Sequence, residues 1–369
     1  MYSEWGENMI ETKQNRIGYI DTAKGIGIIL VCLGHAITNA DKSVNVEHSV
    51  LLQFISQFHM PFFFAISGFV FGEKNFDNPL RSSLKKFKAY YIPFVVYNLI
   101  FVLLHNPMAD LHIFSNHYSF VEICHDILSV LTFHIQEICG AMWFVRTLFT
   151  IVIMFIWIKF FIRKLLPEKY EEVMMGILVL IMQFFSLLRI CPTTFRIDLA
   201  CSNFLFFYFG YLLKKYEWHQ YVTNYKHLLA VAGLLLNVLF ANFYTYAIGG
   251  PCEGYVVVIR FIGQLSGILM LISISQIKII SDNRILRYLG TKTLDIMALH
   301  FVCFKIVSYV IIAVYGLEPT HMEDIPVVFG VGGLWWILYV IVGLSIPVAI
   351  RMAFEKVRSM LRINFLKKT

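Results

Sequence analysis

A lysine and a histidine stand eleven residues apart in one apolar run, Tyr19-Ile-Asp-Thr-Ala-Lys-Gly-Ile-Gly-Ile-Ile-Leu-Val-Cys-Leu-Gly-His35. Read as a helix, Asp21, Lys24, Ile28, Cys32 and His35 follow steps of three and four and share one stripe. Lys24 and His35 are then about 16 Å apart along the axis. Ionisable groups inside so apolar a run cost roughly 2.5–3.5 kcal/mol each on membrane-insertion scales, which makes them functional candidates. For Asp21 and Lys24 the plain alternative is an ion pair near one membrane face, with Lys24 snorkelling. His35 lies deeper and has no partner on its own helix. A neutral imidazole there suits proton abstraction, or nucleophilic attack through a covalent intermediate.

Other polar residues sit in apolar runs further along. In Gln57-Phe-His59-Met-Pro61-Phe-Phe-Phe-Ala-Ile-Ser67-Gly68 a histidine precedes a proline that frees a carbonyl and bends the helix. Ser67 and Gly68 permit close helix packing. Counted from the same membrane face, His59 lies near the depth of His35, and Arg146 and Arg260 are each about one and a half turns in. Two histidines and two arginines are therefore expected to converge from four helices, with Trp143 beside Arg146. The plainer alternatives are an outward-snorkelling Arg260 and an Arg146 paired with Glu137. Asp295, His300 and Lys305 are spaced by fives, so they fall on different faces. His300 counts to the opposite half, near the depth of Lys24, as a ligand-contacting or an internally satisfied histidine.

The elements that carry these residues follow from composition. The chain is 58% hydrophobic and only 15% charged, and its mean hydropathy of +0.68 lies outside the soluble range. Runs of about twenty apolar residues recur along its length, the span that hydrocarbon demands of a helix. A barrel would show short alternating segments, whereas these runs are continuous. The sequence predicts an all-α polytopic membrane bundle of about ten spans: 18–39, 50–72, 90–105, 141–162, 172–188, 197–213, 227–245, 255–275, 293–316 and 333–353. Residues 1–17 form an N-terminal segment, 18–353 the membrane domain and 354–369 a basic tail. With this count, 23 of the 31 Lys and Arg residues fall in segments on one side, the side that faces the cytoplasm, so both ends are placed there. The first span lacks a small-residue cleavage site and reads as a retained signal-anchor.

The net charge of +7 is thus a topological signal, and no basic soluble face exists for nucleic acid. Residues 120–138 are amphipathic, with Val121, Ile127, Leu128, Leu131, Ile135 and Ile138 on one stripe opposite Glu122, Asp126, Ser129 and Gln136. They suit a helix at the outer interface or one that re-enters the bundle. Cys124, Cys191 and Cys252 fall in outer loops and leave room for one disulfide. His105, His112, His117, His125 and His134 lack the i,i+3 or i,i+4 pairing of a helical metal site, so no metal is expected. Walker, GxGxxG and GxSxG patterns are absent.

With these residues in view, the chain resembles the acyltransferase 3 family of integral membrane proteins over nearly its whole length. The likeness rests on Ile20-Asp-Thr-Ala-Lys-Gly-Ile-Gly-Ile-Ile-Leu-Val-Cys-Leu-Gly-His35, on His59-Met-Pro-Phe-Phe-Phe-Ala-Ile-Ser-Gly-Phe69, on Ala141-Met-Trp-Phe-Val-Arg-Thr-Leu-Phe149 and on Ala298-Leu-His300. It looks nearest to the fucose 4-O-acetyltransferase-like branch. The resemblance implies transfer of an acetyl or similar group to a hydroxyl of a surface polysaccharide or its lipid-linked precursor, at the cell (inner) membrane. Acyl-CoA would be the co-substrate, and no cofactor would be permanently bound. The family motif places a basic residue, commonly Arg, eleven positions before a His; Lys24 and His35 match it, Lys losing the bidentate fork. On this reading His35 is the catalytic base, Asp21, Lys24 and His300 serve the donor, and His59, Trp143, Arg146 and Arg260 line the acceptor side. The donor's pantetheine arm must then thread between Lys24 and His35. The alternative is a membrane transporter exporting a glycan or small metabolite.

Overall fold

The structure, a computed structural model, describes residues 17–38, 46–247 and 254–366. The predicted N-terminal segment as far as Arg16, Lys42, Cys252, Lys367 and Lys368 lie outside the described residues. Among the described residues every regular element is helical, since lipid offers backbone groups no partner and each helix must satisfy its own. In order they are α1 Gly18–Ile37, α2 Val46–Phe69, α3 Pro79–Leu103 and the amphipathic α4 Phe120–Leu131. A 3₁₀ turn, Glu137–Met142, leads into α5 Trp143–Leu165, α6 Glu171–Leu187 and α7 Ile197–Lys215. Then come α8 Lys226–Ala247, α9 Gly254–Ser275, the short α10 Arg284–Thr291, α11 Thr293–Tyr315 and α12 Trp335–Leu366. The last of these runs past residue 353, so the start of the predicted tail continues the helix.

Among the described residues, nine helices are long and apolar enough to cross a membrane, and they coincide with nine of the ten predicted spans. The remaining predicted span, 197–213, is α7. Its 19 residues reach about 28 Å, nearly the hydrocarbon thickness. Asp198, Ser202, Asn203, Lys214 and Lys215 lower its hydropathy. An inner position explains why that is tolerated: α7 packs on α2, α5 and α6 and buries Phe204, Phe207, Tyr208 and Tyr211, so little of it must face lipid.

Close approach of backbones fixes the packing. A Cβ on Gly68 would stand 1.8 Å from the Phe207 carbonyl oxygen, and one on Gly210 would stand 1.8 Å from that of Ala65. The two glycines therefore interlock α2 with α7, the small-residue packing expected of membrane helices. Gly25 and Gly290 play the same part between α1 and α10, against the carbonyls of Leu286 and Asp21. Contacts between ends agree with alternating spans. Inner ends meet through Lys292 and Glu355, and through Arg351 and Asp295. Beyond α11 the chain folds back on it, and Lys305 Nζ donates to the carbonyls of Met322 and Asp324, both at 2.6 Å.

The amphipathic segment divides in two. Its first part is α4, opened by a capping box between Ser119 and Glu122. Phe120, Val121 and Leu128 on it are 64–79% exposed, so its apolar side lies on the outside of the bundle, as an interfacial helix requires. The chain then turns at Phe133, held by the Tyr91 hydroxyl on the Leu131 carbonyl at 2.8 Å, and by the Gln136 N–H on Asn98 Oδ1 at 2.9 Å. Ile138 and Cys139 sink fully into the bundle. Both alternatives from the sequence are thus used in succession. Cys124 and Cys191 are free thiols, so no disulfide joins these two.

Candidate functional site

Three histidines approach one another from α1, α2 and α11. The rings of His35 and His300 have centroids 5.4 Å apart, and Phe301 meets His35 edge-on at 4.8 Å. His300 and His59 are the two titratable neighbours of His35. Gly34, which sets α1 against Ile55 of α2, permits the approach. The 3₁₀ turn closes the group from outside: Gly140 lies against Phe301, and Cys139 Sγ points at the Ala298 carbonyl, 3.7 Å away.

Hydrogen bonds assign the tautomers. A carbonyl only accepts, so Nδ1 of His300, 2.9 Å from the Ile296 oxygen, carries the proton and leaves Nε2 as a lone pair. That Nε2 is buried with no partner, in a side chain with no exposed surface. An orphaned buried acceptor costs about 1–3 kcal/mol. His59 is fixed in the same way by the Ile55 carbonyl at 2.8 Å. Neither nitrogen of His35 is hydrogen-bonded among the described residues; its contacts are rings. The group therefore offers two imidazoles fixed by backbone carbonyls beside one held by ring contacts.

The sequence placed His300 with Lys24, and the structure moves it to His35. The physical reason is α10, which tucks under α1 so that Gly290 touches Asp21 and Leu286 touches Gly25. α11 therefore starts inside the bundle, and counting residues from its first turn underestimates depth. Asp21 and Lys24 form the simple pair foreseen as the alternative, Nζ to Oδ1 at 3.9 Å. Between Lys24 and His35, Ile28 and Cys32 have no exposed surface. The expected passage along this stripe is thus packed shut in this state, and a donor arm requires it to open.

The two arginines do not join the histidines. Arg260 is on the exposed side of α9. Trp143 packs on Phe64 of α2, with centroids 6.3 Å apart, more than one turn inward of His59. Arg146 turns away into a separate outer pocket of about 350 Å³, lined also by Ser129, Thr132, His134, Thr193 and Arg196. There Arg146 Nη1 donates to the Phe133 carbonyl at 2.5 Å, and not to Glu137. Phe133, Phe195 and Arg196 have φ of +73°, +51° and +56°. Three left-handed non-glycine residues around one cavity mark a wall held in strained form.

The sequence reading passed over a second group of charges at the inner ends of α5, α6 and α7. Lys159, with no exposed surface, lies 2.7 Å from Glu171 and also binds Glu172. Arg163 bonds Glu171 at 2.9 Å and pairs with Glu73; Lys215 reaches Glu172 and Glu73. The Tyr208 hydroxyl donates to Glu172 at 2.7 Å, and that of Tyr211 to Glu73. Three cations meet three carboxylates. The signal was present in the sequence, in Lys159 and Arg163 one turn apart and in the Glu171-Glu172 doublet after a short turn. Among the outer histidines, His105 stacks on Phe114 and Tyr118; no group of three His, Cys, Asp or Glu placed to hold a metal ion occurs among the described residues.

Helices long and apolar enough to cross a membrane, with three histidines brought near one another between them, make this a polytopic helical membrane protein. An acyltransferase domain model matches residues 17–352, and the chain belongs to that family, the acyltransferase 3 family of the motif resemblance. It is a multi-pass membrane acyltransferase. No curated protein and no solved structure matches it.

Proposed function

We propose that the protein moves an acyl group, most simply acetyl, from cytoplasmic acyl-CoA to a hydroxyl of a surface polysaccharide or its lipid-linked precursor. The motif blocks favour the fucose 4-O-acetyltransferase-like branch and a place in the cell membrane. The observation that carries the reading is the pairing of His35, whose nitrogens are unclaimed, with the orphaned Nε2 of His300, inside a domain matched to acyltransferases. That match also favours catalysis over export.

The chemistry follows from the geometry. A neutral imidazole has a free ring nitrogen lone pair, so His35 can take the proton of the attacking hydroxyl. The hydroxyl oxygen bonds to the thioester carbonyl carbon, and the carbon–sulfur bond breaks. The imidazolium returns its proton to the departing thiolate, leaving ester and free CoA. Nε2 of His300 accepts a hydrogen bond from the charged His35 ring while it exists. On the inner side Lys24, 3.9 Å from Asp21, contacts the anionic donor. Separation around Ile28 and Cys32 admits the arm. An acyl-histidine intermediate at His35 gives the same products in two steps.

Membranes containing the protein, incubated with labelled acetyl-CoA and lipid-linked glycans, test this directly. His35→Ala should lower transfer at least about a hundredfold, the usual worth of a positioned base. His300→Gln should lower kcat about tenfold while KM for acetyl-CoA stays unchanged. Label that never moves, or moves equally well in His35→Ala, refutes the assignment.

A further inference from the structure

Arg146 is 92% buried, by its 8% residual exposure, in the outer half of the bundle. Its Nε is buried without a partner, and its one hydrogen bond is to a neutral carbonyl, that of Phe133. Among the described residues no carboxylate pairs with it. The nearby Asp198 is already taken by both arms of Arg196, at 3.0 and 2.9 Å. A buried guanidinium with only a carbonyl for company is an uncompensated charge, and such charges are retained where a ligand supplies the missing sign. The cavity it lines, about 350 Å³, holds a sugar-sized group. Arg196, the exposed His134 and the Thr193 hydroxyl share its wall, while the hydroxyls of Ser129 and Thr132 already donate to the carbonyls of His125 and Ser129. A planar, five-donor cation is the side chain best matched to a carboxylate or phosphate.

We propose that this outer pocket binds an oxyanion carried by the acceptor, with Arg146 as its principal ligand. The acceptor is then an acidic glycan, bearing either a uronate carboxylate or the phosphate of a lipid carrier. This rests on the reading that the acceptor approaches from the outer face. The pocket takes part of its wall from Ser129, Thr132, Phe133 and His134, just before the 3₁₀ turn that closes the histidine group, and α5, which carries Arg146, starts directly after that turn. An anchored anion there holds the neighbouring hydroxyls of a polymer toward His35.

The test uses the full chain in nanodiscs of zwitterionic lipid and reads the thermal unfolding midpoint during titration with inorganic pyrophosphate, glucuronate or glucose. At least one anion should raise the midpoint saturably while glucose does not. Response to pyrophosphate alone identifies a carrier phosphate, and response to glucuronate alone an acidic sugar. In Arg146→Gln the apparent Kd should rise at least about tenfold, with Arg146→Lys between the two. Arg189→Gln, another outer arginine, should bind as the wild type does. No anion response, an equal response in Arg146→Gln, or an equal loss in Arg189→Gln overturns the proposal. Should Arg146→Gln fail to fold, Arg146→Lys carries the test: its apparent Kd for the anion should rise at least about threefold over the wild type, and an unchanged Kd overturns the proposal. The readout needs no acyl transfer, so its outcome is separable from that of the catalytic assignment.

Discussion

The two ends of α5 each hold a buried cation, and the bundle treats them differently. At the inner end Lys159 is met by two carboxylates, one at 2.7 Å, and the surrounding tyrosines and cations occupy the remaining oxygens. At the outer end Arg146 is also buried, if less completely, yet finds a carbonyl and an open cavity. Desolvating a charge is costly at either end, and only the inner one is compensated from within. A closed, internally neutral cluster holds helices in place. An open one with a surplus positive charge is incomplete, and incompleteness beside a cavity is the mark of a binding site. The histidine group belongs with the open end, because His300 also keeps an unsatisfied atom.

This contrast makes its strongest demand at Lys159. Replacing it with methionine leaves Glu171 and Glu172 buried with one cation fewer. Breaking a buried pair on one side costs about 3–5 kcal/mol, so Lys159→Met should unfold at much lower temperature in detergent or yield little folded protein. Midpoints measured on matched preparations check this, and a shift too small to resolve means the inner network is ornamental.

Much of this architecture was legible beforehand, for identifiable reasons. Hydropathy and the one-sided distribution of Lys and Arg gave the spans because lipid permits few alternatives. α7 shows the limit of that logic: a helix surrounded by other helices need not be apolar, and its Asp198 and Lys214 lower the very signal that locates spans. His35, and the approach of His59, were visible because both are polar residues in apolar runs at one depth. His300 was assigned the wrong neighbour because depth was counted from a helix start, and α10 displaces that start inward. The inner network was overlooked for a different reason. Each of its members looks like an ordinary loop-flanking charge, and only packing reveals that Lys159 has no exposed surface. The outer pocket draws its wall from three separate segments, around residues 132, 146 and 195, so no local pattern announces it.

A second test inverts the first. Arg146→Met removes one hydrogen bond, worth about 1 kcal/mol, and also removes an uncompensated buried charge. The two nearly cancel, so the unfolding midpoint should move by less than about 1 kcal/mol in stability, far less than for Lys159→Met. A loss as large as that at Lys159 would mean that Arg146 is a structural pin and that the two ends of α5 are alike.

The smallest expected effect concerns the wall of the outer pocket. The Thr150 hydroxyl donates to the Phe195 carbonyl at 3.1 Å, tying α5 to the strained turn that carries Phe195 and Arg196. Thr150→Val keeps the shape and removes the bond, at a cost of about 1 kcal/mol or less, because the freed carbonyl faces the edge of an open pocket and can find water. Stability should barely change, whereas the turn is free to leave its left-handed conformation. If the outer end is a site held ready for a ligand, the response to anions should weaken about threefold in this variant while Lys159 and its carboxylates are undisturbed. If anion response and midpoint fall together in proportion, the turn contributes only to folding, and readiness must be sought in Arg146 alone.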